Sequence, residues 1–330
     1  AGNDFIDASA STILLTLDGG EGNDVLIGGT ASLFLGSNGN DRYFGTEIGL
    51  NHIRYQNLTS PIVANFTFVR DATRELQIEK ANFELDQTVQ IAELTGTSGV
   101  DRVNVVTGES MLWDFNNSLM TLKLKADLAN PLLVARDFET FVAGNGDDEF
   151  LLKEISSQGN HFYDGRGGFN ILNLSGFGVA SQTGIDFANS TLFNLDEPSK
   201  TDSFANIADV ILNDGVNLVI QNAVSRSING LGGLDTVDYQ NSFSPVTLTQ
   251  VGPNATSIAV LHHGDLDDQL FNIENFILTD FDDQFEFISR GNIQNFKIDM
   301  KDGDDTFVDL ADLNSLEPLE PFVEFSDSII

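Results

Sequence analysis

An aspartate that follows one glycine by two residues and another by five can combine a carboxylate with freely turned backbone carbonyls. The stretch Gly19-Gly20-Glu21-Gly22-Asn23-Asp24-Val25-Leu26-Ile27 has this form. Glycines at its first, second and fourth places admit conformations closed to other residues, so successive carbonyls can turn toward one point. The Asp24 carboxylate adds charge to that ring of hard oxygens, the donor set that Ca2+ takes. The apolar eighth residue, Leu26, then starts a short strand that points into a core.

The pattern recurs. Read as fourth, sixth and eighth places, the copies are Gly2/Asp4/Ile6, Gly22/Asp24/Leu26, Gly39/Asp41/Tyr43, Gly99/Asp101/Val103 and Gly146/Asp148/Phe150, followed by Gly168/Asn170/Leu172, Gly215/Asn217/Val219, Gly233/Asp235/Val237, Phe281/Asp283/Phe285 and Gly303/Asp305/Phe307. Every eighth place is apolar. The candidate cation ligands are therefore Asp24, Asp41, Asp148, Asp235, Asp283 and Asp305, with Gly19, Gly22, Gly36 and Gly39 shaping two of the turns. Asn170 and Asn217 offer a side-chain carbonyl or simply close a turn, and Asp101 has no partner one coil away. The bland alternative for all of them is that Asp and Asn cap Gly-rich turns.

These residues resemble the nonapeptide repeats of the RTX, or haemolysin-type calcium-binding, family. That resemblance implies a parallel β-roll with calcium in its turns, in a bacterial protein secreted or held at the cell surface. It also implies a chain kept unfolded in the low-calcium cytosol, passed C-terminus first to a type I secretion apparatus and folded on meeting calcium outside.

The elements that must position such turns follow from the spacing. Asp24 and Asp41 are 17 residues apart, Asp148 and Asn170 22, Asn217 and Asp235 18, and Asp283 and Asp305 22. Two strand-plus-turn units of nine residues make one coil of a two-sided roll, so paired turns would stack about 4.8 Å apart. The fold class is all-β: a parallel β-roll or β-solenoid with longer strand-rich inserts. Because the turn halfway through each pair is degenerate, the ion ladder is expected mostly along one edge. The inserts echo one another. Arg54-Tyr55-Gln56-Asn57 before Ser60-Pro61 matches Asp238-Tyr239-Gln240-Asn241 before Ser244-Pro245, and each insert closes on a phrase such as Phe138-Glu139-Thr140-Phe141 or Ile273-Glu274-Asn275-Phe276. Alternation in Asn65-Phe66-Thr67-Phe68-Val69 and Thr121-Leu122-Lys123-Leu124-Lys125 reads as strand.

Composition narrows the function. Among 330 residues, 50 Asp and Glu against 16 Lys and Arg give a net charge of −34, which repels nucleic acid and anionic membranes. Apolar residues make up 41%, with 26 Phe, too many for a disordered acidic tail. Cysteine is absent, so disulfides and thiolate metal sites are excluded. No stretch is apolar for the roughly 18 residues of a membrane span. Neither H-E-x-x-H nor G-x-S-x-G occurs. Phe at eighth places reads as a core ladder, and Trp113 as core of the central insert. Residues 1–310 read as one repeat region and 311–330 as a non-repeat tail ending Asp327-Ser328-Ile329-Ile330, which resembles the end of type I secretion substrates. The opening inside a repeat suggests a piece of a longer protein. The leading expectation is a calcium-binding structural module whose surface contacts are copies of itself or cell-surface polysaccharide. The rival is a carbohydrate-active β-helix enzyme, a lyase or epimerase of acidic polysaccharide, or its accessory module.

Overall fold

The computed structural model describes the chain except residues 1, 48, 70–72, 117–118, 156–159, 223, 252–257, 264–265, 288–296, 310–323 and 326–330. Among the described residues almost all regular structure is strand, with a single 3-10 turn at Ala81–Phe83. The contacts divide the chain into two compact units. One comprises Ala1–Leu151, Asn160–Ile171 and Ala205–Ile207, and the other Leu152–Gly159, Leu172–Phe204 and Ala208–Ile330.

In the first unit the chain alternates between two sheets. The first sheet runs, in spatial order, Phe5–Asp7, Val25–Ile27, Arg42–Phe44, Leu85–Val89, Thr73–Glu79, Val63–Val69, Arg102–Val105, Thr140–Val142 and Phe162–Asp164. The second runs Leu15–Asp18, Ala31–Leu35, Leu50–Arg54, Glu93–Thr95, Asp127–Arg136, Leu119–Leu124, Met111–Asn116 and Glu149–Leu151. Neighbours are parallel except within two three-stranded meanders, Val63–Val89 and Met111–Arg136, where the order in space reverses the order in sequence. The inserts thus continue the sheets rather than leaving them. Their first and third strands are parallel to the flanking coils, and only the middle strand runs back.

The second unit is built alike. Its meanders are Thr183–Asp186, Thr191–Asn194 and Thr201–Ala205 in one sheet and Thr247–Val251, Ile258–His263 and Leu266–Phe271 in the other. Parallel strands flank them, among them Asn217–Ile220, Thr236–Asp238 and Asn275–Ile277 on one side and Gln284–Phe287 with Thr306–Asp309 on the other. Of the tail at 311–330, only Glu324–Phe325 lies within the described residues; it pairs in parallel with Lys297–Asp299.

Alternation places the core. The strand Ala31–Leu35 buries every second residue, and Phe34 meets Tyr43 edge-on from the other sheet at 5.5 Å. The eighth-place residues Leu26, Tyr43, Val103, Phe150, Leu172, Val219, Val237 and Phe285 are buried. Ile6 and Phe307, on strands at sheet edges, are not. Trp113 is fully buried, stacked on Phe150 at 5.5 Å, as its place in the central insert implied.

Candidate metal centres in stacked turns

In five stacked pairs, at Asp4/Asp24, Asp24/Asp41, Asp148/Asn170, Asn217/Asp235 and Asp283/Asp305, the later turn lies directly on the earlier one, and three places of the repeat make the fit. At the sixth place, the side chain of one coil accepts the backbone N–H of the sixth place below. Asp24 takes the amide of Asp4 at 2.7 Å, Asp41 that of Asp24 at 2.9 Å, Asn170 that of Asp148 at 3.0 Å, Asp235 that of Asn217 at 3.1 Å and Asp305 that of Asp283 at 2.8 Å. At the fifth place the polarity is reversed. The amide of Asn23 donates down to Asn3, that of Asn40 to Asn23, that of Phe169 to Asp147 and that of Asp304 to Asp282. Two antiparallel hydrogen-bond ladders therefore tie four of the five stacked pairs, while the Asn217/Asp235 pair, with Val216 at the fifth place, has the sixth-place bond alone.

The fourth-place glycine solves a space problem. In the upper member of each pair, Gly22, Gly39, Gly168, Gly233 and Gly303 have positive φ, and a Cβ there would overlap the carbonyl of the fourth-place residue below, at Gly2, Gly22, Gly146, Gly215 and Phe281 respectively. The bottom members Gly2, Gly146, Gly215 and Phe281 have no positive φ, and this is why Phe281 is tolerated. The first-place glycine answers a different need. At Gly19, Gly96, Gly165 and Gly230 an added Cβ would strike the sixth-place side chain five residues on, at Asp24, Asp101, Asn170 and Asp235, which is tucked beneath it.

The turns are not all on one edge, contrary to the expectation from spacing. In the first unit Asp24, Asp41 and Asp101 lie where the chain passes from the second sheet to the first, while Asp148 and Asn170 lie where it passes from the first to the second. The second unit likewise carries Asn217 and Asp235 at one edge and Asp283 and Asp305 at the other. The irregular insert lengths reset which of a coil's two turns carries the glycines.

The carboxylates fall into two groups. Asp24, Asp148 and Asp235 are buried, and in each the Oδ2 atom has no hydrogen-bond partner. Burial pushes Asp148 up to about 7 and Asp235 up to about 8, so a countercharge is what these oxygens lack. The others are satisfied internally. Asp101 accepts from the amide of Ile62 at 2.7 Å and from the amide and hydroxyl of Thr97; Asp283 accepts in the same way from Val246 at 2.8 Å and from Thr279. Burial raises both, against these hydrogen bonds. Asp41 Oδ2 is held by Ser37, Tyr43 and Lys80. Asn170 and Asn217 spend their amide hydrogens on backbone carbonyls such as Gly167 and Gly215, so each is at least partly a turn-closing residue.

Several members of the ladders escaped the spacing argument. Glu139 Oε2 accepts the amide of Asp101 at 2.8 Å and Glu274 Oε2 that of Asp235 at 2.9 Å, each acting as the sixth-place acid of a coil without turn glycines. The repeated insert-closing phrase was their signal. Asp86, whose Oδ1 takes the amide of Asp41 at 2.8 Å, lies in no repeat.

Among the described residues no three acidic or histidine side chains converge as metal ligands do. An ion at these turns would have to draw most of its oxygens from backbone carbonyls, as hard-cation sites in Gly-rich loops can. Among the described residues no helix is long and apolar enough to cross a membrane. Apart from the turns, the second unit has a cleft of about 600 Å³ lined by Asn222, Gln240, Asn241, Phe243, Asp280 and Phe281 among others.

No known family matches the chain, and no curated protein does. Among solved structures it is similar to the extracellular lipase LipA from Serratia marcescens, at 15% identity and a TM-score of 0.22, over 79% of this chain and 36% of that one. The chain thus spans little more than a third of that protein's length.

Proposed function

We propose that this chain is a calcium-binding structural module of the RTX, haemolysin-type repeat kind, belonging to a secreted or cell-surface bacterial protein. The observation that carries the reading is the set of three orphaned carboxylate oxygens, on Asp24, Asp148 and Asp235, each buried in a glycine-rich turn. Ca2+ supplies the missing countercharge. Asp24, Asp148 and Asp235 each contribute one oxygen to it, and turn carbonyls contribute the rest. The other sixth-place residues, already satisfied, serve chiefly to register the stack. Since a chain of charge −34 repels itself, ion binding free energy becomes folding free energy. Such a chain opens around its calcium turns where calcium is scarce, which suits export through a type I apparatus, and closes there outside the cell.

The role is structural rather than catalytic. The cleft of the second unit has Asp280 as its one lining acid and no Lys, Arg or His, so it offers neither the carboxylate pair of glycoside hydrolysis nor a basic seat for acidic polysaccharide.

The test is calorimetric titration with CaCl2, with MgCl2 as control, followed by far-UV circular dichroism. The wild type is expected to take up calcium selectively at near-millimolar affinity. Asp24→Asn, Asp148→Asn and Asp235→Asn should each lose one ion, whereas Asp101→Asn should lose none. Equal ion counts in all four variants and the wild type would remove the reading.

A further inference from the structure

In the first unit the column of turn acids meets a buried charge of opposite sign at the first meander. Lys80 follows the strand Thr73–Glu79, and its side chain is 2% exposed. Its Nζ lies 2.6 Å from Asp86 Oδ1 and 3.6 Å from Asp41 Oδ2, and donates to the Ser37 carbonyl at 2.6 Å. Ser37 Oγ and Tyr43 Oη also donate to Asp41 Oδ2, each at 3.1 Å, and Tyr55 Oη donates to Asp86 Oδ2 at 2.7 Å. Two carboxylates and a turn carbonyl thus converge on one buried cation, and all four carboxylate oxygens are partnered. One coil earlier, Asp24 makes the same backbone bond to its neighbour, yet its Oδ2 has no partner. What separates the two rungs is the ammonium together with the hydroxyls of Ser37 and Tyr43, where the earlier turn has Gly20 and Leu26.

We infer that Lys80 occupies a cation site of the turn ladder and makes the rung between Asp41 and Asp86 independent of calcium. The oxygen set is one that a hard divalent ion would accept: two carboxylates, the Ser37 carbonyl and nearby hydroxyls. Lysine supplies a single charge on a tether, so one of the two carboxylate charges is balanced as soon as the chain closes. The contrast with Asp24 rests on the function proposed above; the convergence of oxygens on Lys80 Nζ does not.

The second unit repeats the device with other residues. Asp268, on the third strand of its later meander, accepts from Tyr239 Oη at 2.8 Å, Gln221 Nε2 at 2.6 Å and the amide of Arg226 at 2.7 Å. The Arg226 guanidinium donates to Gln221 Oε1 at 3.2 Å and lies 3.6 Å over the Phe187 ring. Tyr55 with Asp86 and Tyr239 with Asp268 are the structural content of the echoed Tyr-Gln-Asn phrase. In each unit the third strand of a meander carries a buried acid that accepts from a tyrosine of the preceding coil, with a cation nearby, Lys80 in the first unit and Arg226 in the second. An ordinary stabilising ion pair predicts only weakening when the cation is removed, whereas an occupied cation site predicts that an ion enters.

The test uses the full chain with Lys80→Met, which keeps the stem and removes the charge. Calorimetric titration is expected to find one more calcium ion in K80M than in wild type. In EGTA, the Asp41 amide, which donates to Asp86, should be protected from hydrogen exchange in wild type and unprotected in K80M, with calcium restoring protection. The wild-type ion count in K80M, or protection that calcium does not restore, would overturn the inference. The double variant K80M/D86N removes the pair of charges together; it should show the wild-type ion count and protection in EGTA, and an added ion or lost protection there would also overturn it. If wild type binds no calcium, the proposed function falls, while the ion gained or not gained by K80M still decides this inference.

Discussion

In the upper turn of each stacked pair, glycine is required twice over, once for its positive φ and once because the carbonyl below occupies the place of a Cβ. Gly20 has the first requirement alone, since its φ is +78° and nothing lies within 4 Å of an added Cβ. Gly39, at φ +112°, has both. Gly20→Ala should therefore cost about 1 kcal/mol, and Gly39→Ala on the order of 3 kcal/mol or more, as read from urea midpoints in saturating calcium. Equal costs would mean that φ alone governs. These residues were legible from sequence because their roles are local: a turn fixes its own glycines, and the eighth place follows two residues after the acid. Lys80 and Asp86 were not legible, and Glu139 was so only through the insert-closing phrase. Lys80 meets Ser37, Asp86 meets Asp41 and Glu139 meets Asp101 across 38 to 45 residues, farther than a turn spacing reaches.

At the scale of elements, the meanders decide how the sheets continue. The strands Val63–Val69 and Leu85–Val89 pair with different coils, Arg102–Val105 and Arg42–Phe44, and only Thr73–Glu79 joins them. The buried acid on the third strand must be satisfied for that join to hold. Tyr55→Phe removes the donor to Asp86 Oδ2 and Tyr239→Phe one donor to Asp268 Oδ2. Tyr55→Phe is expected to destabilise its unit by about 1–3 kcal/mol, because the loss leaves a buried carboxylate oxygen unsatisfied, and Tyr239→Phe by about 1 kcal/mol, because Gln221 still donates to Asp268 Oδ2. Hydrogen exchange would assign the loss to one unit or the other, and an unchanged Tyr55→Phe protein would show that Lys80 alone suffices for Asp86. The echoed phrases pointed to a repeated element, and strand alternation showed it to be β. The antiparallel return was hidden, since a strand such as Leu119–Leu124 alternates in the same way whichever direction its neighbours run.

For the whole molecule the balance of charge sets the dependence on pH. Burial raises Asp86 to about 6, with Lys80 opposing it, and raises Asp148 to about 7 and Asp235 to about 8, from an unfolded value of 3.8. A carboxyl whose pKa is higher folded than unfolded stabilises the fold at low pH and loses that contribution as pH rises through the folded value. Each unit of displacement corresponds to about 1.4 kcal/mol. In EGTA, the melting temperature is therefore expected to fall as pH rises from about 4 to about 8, and self-repulsion at −34 acts in the same direction. In calcium the trend should reverse, because the ion takes the ionised form. Thermal scans across that range in the two buffers check both signs, and a metal-free protein that grows more stable toward pH 8 would contradict them.

The reversed order of the meander strands has a mechanical consequence. A simple coil of 17 to 22 residues can be peeled from a roll by itself, paying out roughly 60–75 Å of chain. A meander cannot be peeled that way. Its last strand in sequence, Leu85–Val89, lies against the earlier coil while its first, Val63–Val69, is clamped by the later one. Tension from either end therefore reaches the three strands together and frees the whole span from Val63 to Val89, roughly 90 Å, in one rupture. Stretched in an optical trap, the first unit should yield in two sizes of step, with each meander acting as a stop that halts unravelling between runs of single coils.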